Sequence, residues 1–169
     1  MQQFESAKFS IDQVVLILEK VHIIWEPFLL PSTYKKSMCA VLESVFSRIS
    51  RDILLLDDIA ADETLQLQRL IHLMLESLSS LFESLATGDP NLHEFSAEFL
   101  EDLIPSLRKI RKLSELLDMP LKSITASWEN KELLSCGFTI TDVEDFIKAM
   151  FADSPLRKDC LRRLQNTSF

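Results

Sequence analysis

The sequence predicts an all-α protein, an elongated antiparallel helical bundle of about seven to eight helices. Three observations carry that expectation. Only two glycines, Gly88 and Gly137, occur in 169 residues, whereas sheet folds need many tight turns and draw on glycine to make them. Leucine occurs 29 times, repeatedly at spacings of three and four, the signature of a helical stripe. Hydrophobic residues make up 47% of the chain, enough apolar side chain for a core.

The elements follow in order. Ser10 can cap a first helix from Ile11 to about Phe28, with Val14, Leu18, Val21, Trp25 and Phe28 on one stripe. Pro27 and Pro31 mark a bend. A second helix, capped by Ser32, runs to about Leu56 with Met38, Leu42, Val45, Ile49, Ile53 and Leu56 inward. A third begins near Ala61, where Asp62 and Glu63 suit the positive end of the helix dipole. It carries Leu67, Leu70, Met74, Leu78, Leu81 and Leu85 and ends at Gly88-Asp89-Pro90, the clearest break in the chain. At 1.5 Å per residue the second and third helices are each roughly 38 Å long, so a long αα-hairpin is expected.

Shorter elements are expected beyond the break: a helix over 92–104, one opened by Pro105 through Leu117, and one opened by Pro120 through Trp128. A loop containing Gly137 follows. Thr141 and Glu144 have capping-box spacing and would open a helix with Val143, Phe146, Ile147, Met150 and Phe151 on its apolar side. Ser154-Pro155 supplies a cap and a first-turn proline for the last helix, and the tail Gln165 to Phe169 should fray. The expected organisation is a helical bundle built on the long αα-hairpin over residues 1–88, with a smaller C-terminal helical subdomain over 89–169 packed in series.

Much chemistry is excluded. Two glycines cannot build a phosphate loop or a dinucleotide fingerprint. The net charge of −8 argues against direct nucleic-acid binding. His22, His72 and His93 fall on different elements without metal-ligand spacing, so no metal or cofactor is expected. Cys39, Cys136 and Cys160 are far apart, as in a cytosolic protein with reduced thiols, and Cys160 alone has arginines, Arg157 and Arg163, at helical spacing. Met1 to Ser10 lacks the pattern of a signal peptide, and the apolar runs are too short to cross a bilayer. No pair of titratable groups is spaced for acid–base catalysis, so no enzyme is expected.

Charge is uneven. Residues 1–104 carry seven basic and seventeen acidic side chains, and residues 105–169 carry eleven basic and nine acidic. The one basic cluster, Arg108, Lys109, Arg111 and Lys112, is a candidate partner surface, with a solvated flank as the other reading, and Glu115 can offset Arg111. The carboxylate pairs Asp57-Asp58 and Glu101-Asp102 read as solvated. Trp25, Trp128, Phe138, Phe146 and Phe151 are candidate structural anchors.

Several segments together carry a resemblance. They are His22-Ile-Ile-Trp25 with Leu30-Pro31 and Tyr34, the long helix ending Leu56-Asp-Asp-Ile59, Leu121-Lys-Ser-Ile-Thr-Ala-Ser-Trp128, and the stretch from Phe138 to Phe151 followed by Arg157-Lys-Asp-Cys-Leu. Their order and spacing over roughly residues 12–164 resemble the C-terminal region of the zeste-white ten family. One departure is local: the family has a glycine-containing loop just after the tryptophan, where this chain has Glu129 to Leu134, with Gly137 later. Family members are also several times longer.

The resemblance implies a helical bundle of the multisubunit-tethering-complex type and a non-enzymatic scaffold. It implies Golgi-to-ER vesicle tethering, with a kinetochore and spindle-checkpoint role in animal relatives. The implied partner is a large helical solenoid subunit of the tethering or kinetochore complex, with other tether subunits and SNAREs reached indirectly. The implied location is cytoplasmic, peripheral at the endoplasmic reticulum and Golgi through partners, and the kinetochore during mitosis. The alternative is an unrelated helical-bundle adaptor or regulator that binds a partner protein.

Overall fold

The computed structural model describes residues 2–87 and 97–167. All regular structure among them is helical: α1 (Gln2–Phe28), α2 (Pro31–Leu54), α3 (Ala61–Ser77), α4 (Ser79–Ala86), α5 (Ala97–Leu103), α6 (Pro105–Leu116), α7 (Leu121–Glu129), α8 (Glu132–Ser135), α9 (Ile140–Met150) and α10 (Pro155–Asn166). Eight of these ten have eight residues or more; the single third helix expected from the sequence is divided into α3 and α4, and the helix expected over 92–104 is seen among the described residues as α5. The Gly88-Asp89-Pro90 break, His93 and Phe169 lie outside the described residues.

Several boundaries differ from expectation for identifiable reasons. Helix α1 starts about two turns before Ser10, because nothing between Gln2 and Ser10 breaks a helix. Ser10 is therefore interior, and its hydroxyl donates back to the Ser6 carbonyl at 3.1 Å. Pro31 itself occupies the first turn of α2, with Leu30 rather than Ser32 at the cap. The expected third helix is interrupted at Leu78, whose side chain is fully buried.

Helix α9 is capped two residues earlier than Thr141, by Thr139. Thr139 Oγ1 accepts from the Asp142 backbone N–H at 3.1 Å, and Asp142 accepts from the Thr139 N–H at 3.0 Å. Thr141 with Glu144 has the same spacing, but the upstream box wins because the chain enters it directly from the turn that ends α8. That turn is a Schellman motif. Phe138 N–H donates to the Leu133 carbonyl at 3.1 Å and Gly137 N–H to Leu134 at 3.0 Å. Gly137 sits at φ +88°, in the left-handed region where a Cβ is strained. Phe138 and Leu133, which flank the motif, are both buried. Ser154 caps α10 by accepting from Arg157 N–H at 3.1 Å, with Pro155 next.

Packing joins early and late parts of the chain. Helix α6 lies chiefly along α2 and also against α3 and α5. Helix α3 packs chiefly on α1 and α6 rather than directly on α2. One continuous buried cluster runs from Val15 and Leu18 through Met38, Leu42, Phe46, Leu107, Ile110 and Leu113 to Leu164. Burying a side chain of this size stabilises by about 1.5–3 kcal/mol each. Trp128, Phe138 and Phe146 are buried within the cluster, while Trp25 and Phe151 are half-buried against it.

Replacing Trp128 with alanine should lower unfolding free energy by about 3–5 kcal/mol in urea titration, the range for emptying a buried aromatic site. A loss under about 1 kcal/mol would contradict its place in the core.

Candidate functional site

Helix α6 carries four cations, Arg108, Lys109, Arg111 and Lys112, beside a strongly apolar side. Leu107, Ile110, Leu113 and Leu116 of α6 are buried. Helical geometry then puts Arg108, Lys109, Arg111 and Lys112 on the remaining circumference. Each of the four finds a carboxylate of this chain. Arg108 donates to Glu101 at 3.3 Å and to Asp102 at 2.9 Å, and Arg111 donates to Glu101 at 2.9 Å. Lys109 donates to Asp142 at 2.9 Å and lies 5.2 Å from the centre of the Phe138 ring. Lys112 bonds both Glu115 and Glu132.

Four cations therefore tie α6 to α5, α8 and α9. Two details depart from the local reading. Arg111 pairs with Glu101 rather than Glu115, and Glu101 is a sheltered clamp on two arginines while Asp102 stays exposed beside Arg108. The missed partners lie six to thirty-three residues away along the chain. The turn at Ile104-Pro105 brings Glu101 and Asp102 back beside α6, and adjacent carboxylates just before a proline-opened basic helix were the available signal.

The ion pairs shift their members as charge pairing requires. Burial pushes the Asp142 carboxyl up, but bonds from Thr139 and Lys109 outweigh it and hold the group below its ordinary range. The bond from Lys112 lowers Glu132. Burial works against the Lys112 ammonium, yet Glu115 and Glu132 raise its pKa overall.

A polar groove of about 600 Å³ opens beside this network and is lined by Glu43, Arg51, Ser106, Lys109 and Asp142 among others. Several of its lining groups, Glu43, Ser106, Lys109 and Asp142, are engaged in holding the fold. Glu43 of α2 accepts from the Ser106 backbone N–H at 2.8 Å and from its hydroxyl at 2.7 Å. That carboxylate therefore caps the positive end of α6 from a different helix.

A second polar cluster sits where α1, α2 and α4 meet. His22 Nδ1 is 2.5 Å from the Tyr34 hydroxyl, which is 3.2 Å from Ser84 Oγ, and Ser84 donates to the Leu81 carbonyl. Burial raises the Tyr34 pKa above its usual value, so the phenol stays neutral and acts as a hydrogen-bond link. His72 is exposed on α3. Among the described residues no group of three or more His, Cys, Asp or Glu could hold a metal ion. Cys39, Cys136 and Cys160 are free thiols, and burial pushes Cys39 and Cys136 up, away from reactivity. The arginines near Cys160 point to other groups: Arg157 donates to the Phe151 carbonyl at 2.7 Å, and Arg163 makes two bonds to Glu129.

The apolar surface is uneven. Seven of the large exposed hydrophobic side chains fall between Phe9 and Leu30, six of them on α1. Between α1, α2 and α3 an apolar groove of about 320 Å³ is lined by Ile11, Ile49, Ile53, Leu56, Leu67 and Leu70 among others.

Comparison with known proteins places the chain. The family model described as the ZW10 C-terminal helical domain matches residues 9–164. The chain is 62% identical over 168 residues to the centromere/kinetochore protein zw10 homolog of Arabidopsis thaliana, which covers 99% of this chain and 22% of that protein. It is 22% identical to the rat homolog of the same name, over 97% of this chain and 21% of the relative. To the Drosophila melanogaster centromere/kinetochore protein zw10 it is 24% identical, over 87% of this chain and 19% of the relative. The chain thus spans about a fifth of the length of these curated relatives. No solved structure matches.

Asp142→Asn should cost about 1 kcal/mol at pH 7. The native carboxyl has a depressed pKa, so its contribution is complete above the ordinary carboxyl range near pH 4 and is lost as pH falls through the lower native value. Wild type and variant stabilities, compared by urea titration from pH 7 to pH 2, should therefore converge toward the acid end. A gap that is constant with pH would contradict the pairing.

Proposed function

The chain belongs to the ZW10 C-terminal helical domain family, and from that membership we propose that it is a non-enzymatic scaffold module of a vesicle-tethering complex in Golgi-to-ER transport. Its proposed partner is the large helical solenoid subunit of that complex, through which other tether subunits and SNAREs are reached. The names of the Arabidopsis, rat and fly relatives favour a centromere or kinetochore role as well, and the same helical surface can serve both assemblies. The proposed location is cytoplasmic, peripheral at the endoplasmic reticulum and Golgi, and the kinetochore in mitosis. No described helix is long and apolar enough to cross a membrane.

The observation that carries this reading is the family match across residues 9–164. Two structural features support it. The conspicuous polar clusters, Glu43-Ser106, the α6 cations and His22-Tyr34-Ser84, are built from groups that bond one another across helices. The helices also form a continuous core that can hold an exposed face at fixed geometry. A scaffold works in that way: rigid packing positions a surface, and shape with charge selects what binds it. The four α6 cations would join such a surface only through their outward edges, since each is already paired.

The test is direct binding. The 169-residue chain, immobilised, should retain the solenoid subunit at low and moderate salt. Absence of retention at both salt concentrations would overturn the proposal.

A further inference from the structure

Helix α1 is apolar on two sides. Inward, Val15 and Leu18 are buried, and Ile11, Val14, Val21 and Trp25 pack against the core. Outward, Phe9, Leu16, Ile17, Ile23, Ile24 and Phe28 are 65%, 42%, 58%, 68%, 58% and 85% exposed. At 3.6 residues per turn these six fall within an arc of about 140° and span about 29 Å of helix. A helix that is apolar all round belongs inside a structure. Among the described residues nothing covers this outer face.

Two regularities say what kind of surface it is. Phe9, Leu16 and Ile23 recur every seven residues, as do Ile17 and Ile24, the repeat by which two helices lie along each other. Gln13 and Lys20 interrupt the apolar arc, as polar residues in such seams do when they fix register. Acids recur at the same interval along one edge: Glu5, Asp12, Glu19 and Glu26. Lys8 lies 3.5 Å from Asp12, and His22 lies 3.5 Å from Glu26, both on α1 itself. Glu5 and Glu19 have no ion pair with a described residue. An acidic edge beside an apolar seam selects a partner with the opposite pattern.

A second copy of this chain does not supply that pattern. Helix α1 offers two lysines, Lys8 and Lys20. In an antiparallel pair the acidic edges would face each other. Resting on the scaffold reading above, we propose that the outer face of α1 docks an amphipathic helix of a partner protein, with apolar residues in a seven-residue repeat and a flanking row of Lys or Arg.

The test uses the full 169-residue chain, two variants and two probes. Ile17→Glu with Ile24→Glu breaks the seam at exposed positions. Changing Glu5, Asp12, Glu19 and Glu26 to Lys reverses the edge and leaves the apolar residues intact. Circular dichroism and thermal melting report folding of both. The first probe is a labelled 28-residue synthetic helix with leucine in a seven-residue repeat and a lysine row, together with its Lys→Glu twin. The second is the solenoid subunit.

The lysine helix should bind the wild type and lose at least tenfold in affinity toward the Ile17/Ile24 variant. Its glutamate twin should bind at least tenfold more weakly than the lysine form, and the reversed-edge variant should invert that order. The solenoid subunit should lose at least tenfold toward the Ile17/Ile24 variant. The proposal is overturned if seam breaking leaves both affinities unchanged, if both synthetic helices bind equally, or if the wild type forms dimers that the Ile17/Ile24 variant does not. Retention of the solenoid subunit by wild type and seam variant alike would overturn this proposal and leave the scaffold reading standing. Failure of the solenoid subunit to bind wild type while the lysine helix still binds selectively would do the reverse.

Discussion

Helix α6 has to bury one side completely and neutralise the other, and that pair of demands arranges much of the described fold. Leu107, Ile110 and Leu113 are fully excluded from solvent, and no single neighbour could cover them. Helices α2, α3 and α5 all contribute. On the opposite side four adjacent cations would repel one another, and partly shielded charges need partners. Carboxylates from α5, α8 and α9 supply them. The positive end of the same helix is closed by Glu43 from α2. The apolar side thus draws in the early helices, and the polar side draws in the late ones.

Helix α1 makes the contrast that matters for function. Its inner side is satisfied in the same way as that of α6, yet its outer side presents isoleucine and phenylalanine to solvent. Exposed large hydrophobic side chains occur elsewhere among the described residues, but they concentrate on this face. Isolated exposed hydrophobics need no explanation, whereas six on one side of a single helix form a patch. The distribution of charge sharpens the point. The basic helix, at first sight the natural partner surface, holds the chain together, while the acidic early part of the chain flanks the open apolar row.

Some local features are legible in the sequence, whereas the caps at Ser10, Ser32 and Thr141 and the long-range pairings are not. Ser154-Pro155, the leucine stripes and the glycine at position 137 mark events settled within a turn or two of chain, and each has its counterpart in the structure. The break at Leu78 has no proline or glycine to announce it, and the Leu78 side chain there is fully buried. The choice of Thr139 over Thr141 as the cap turns on the preceding Schellman motif, because both threonines have an acid three residues on. The α6 ion pairs were illegible for a different reason. Lys109 and Asp142 are 33 residues apart, and nothing in their local sequence connects them. The outer apolar row of α1 was visible as letters, but only the structure separates it from the inner row.

Whether α6 joins the early and late helices into one unit can be measured by native-state hydrogen exchange in increasing urea. If the account is right, amides of α2 around Leu42 and Phe46 and amides of α6 around Ile110 and Leu113 will open with the same free energy and the same urea dependence, that of global unfolding. If the α6 amides open several kcal/mol more easily than those of α2, with a shallower urea slope, the two parts are separate cooperative units and α6 is not the element that joins them.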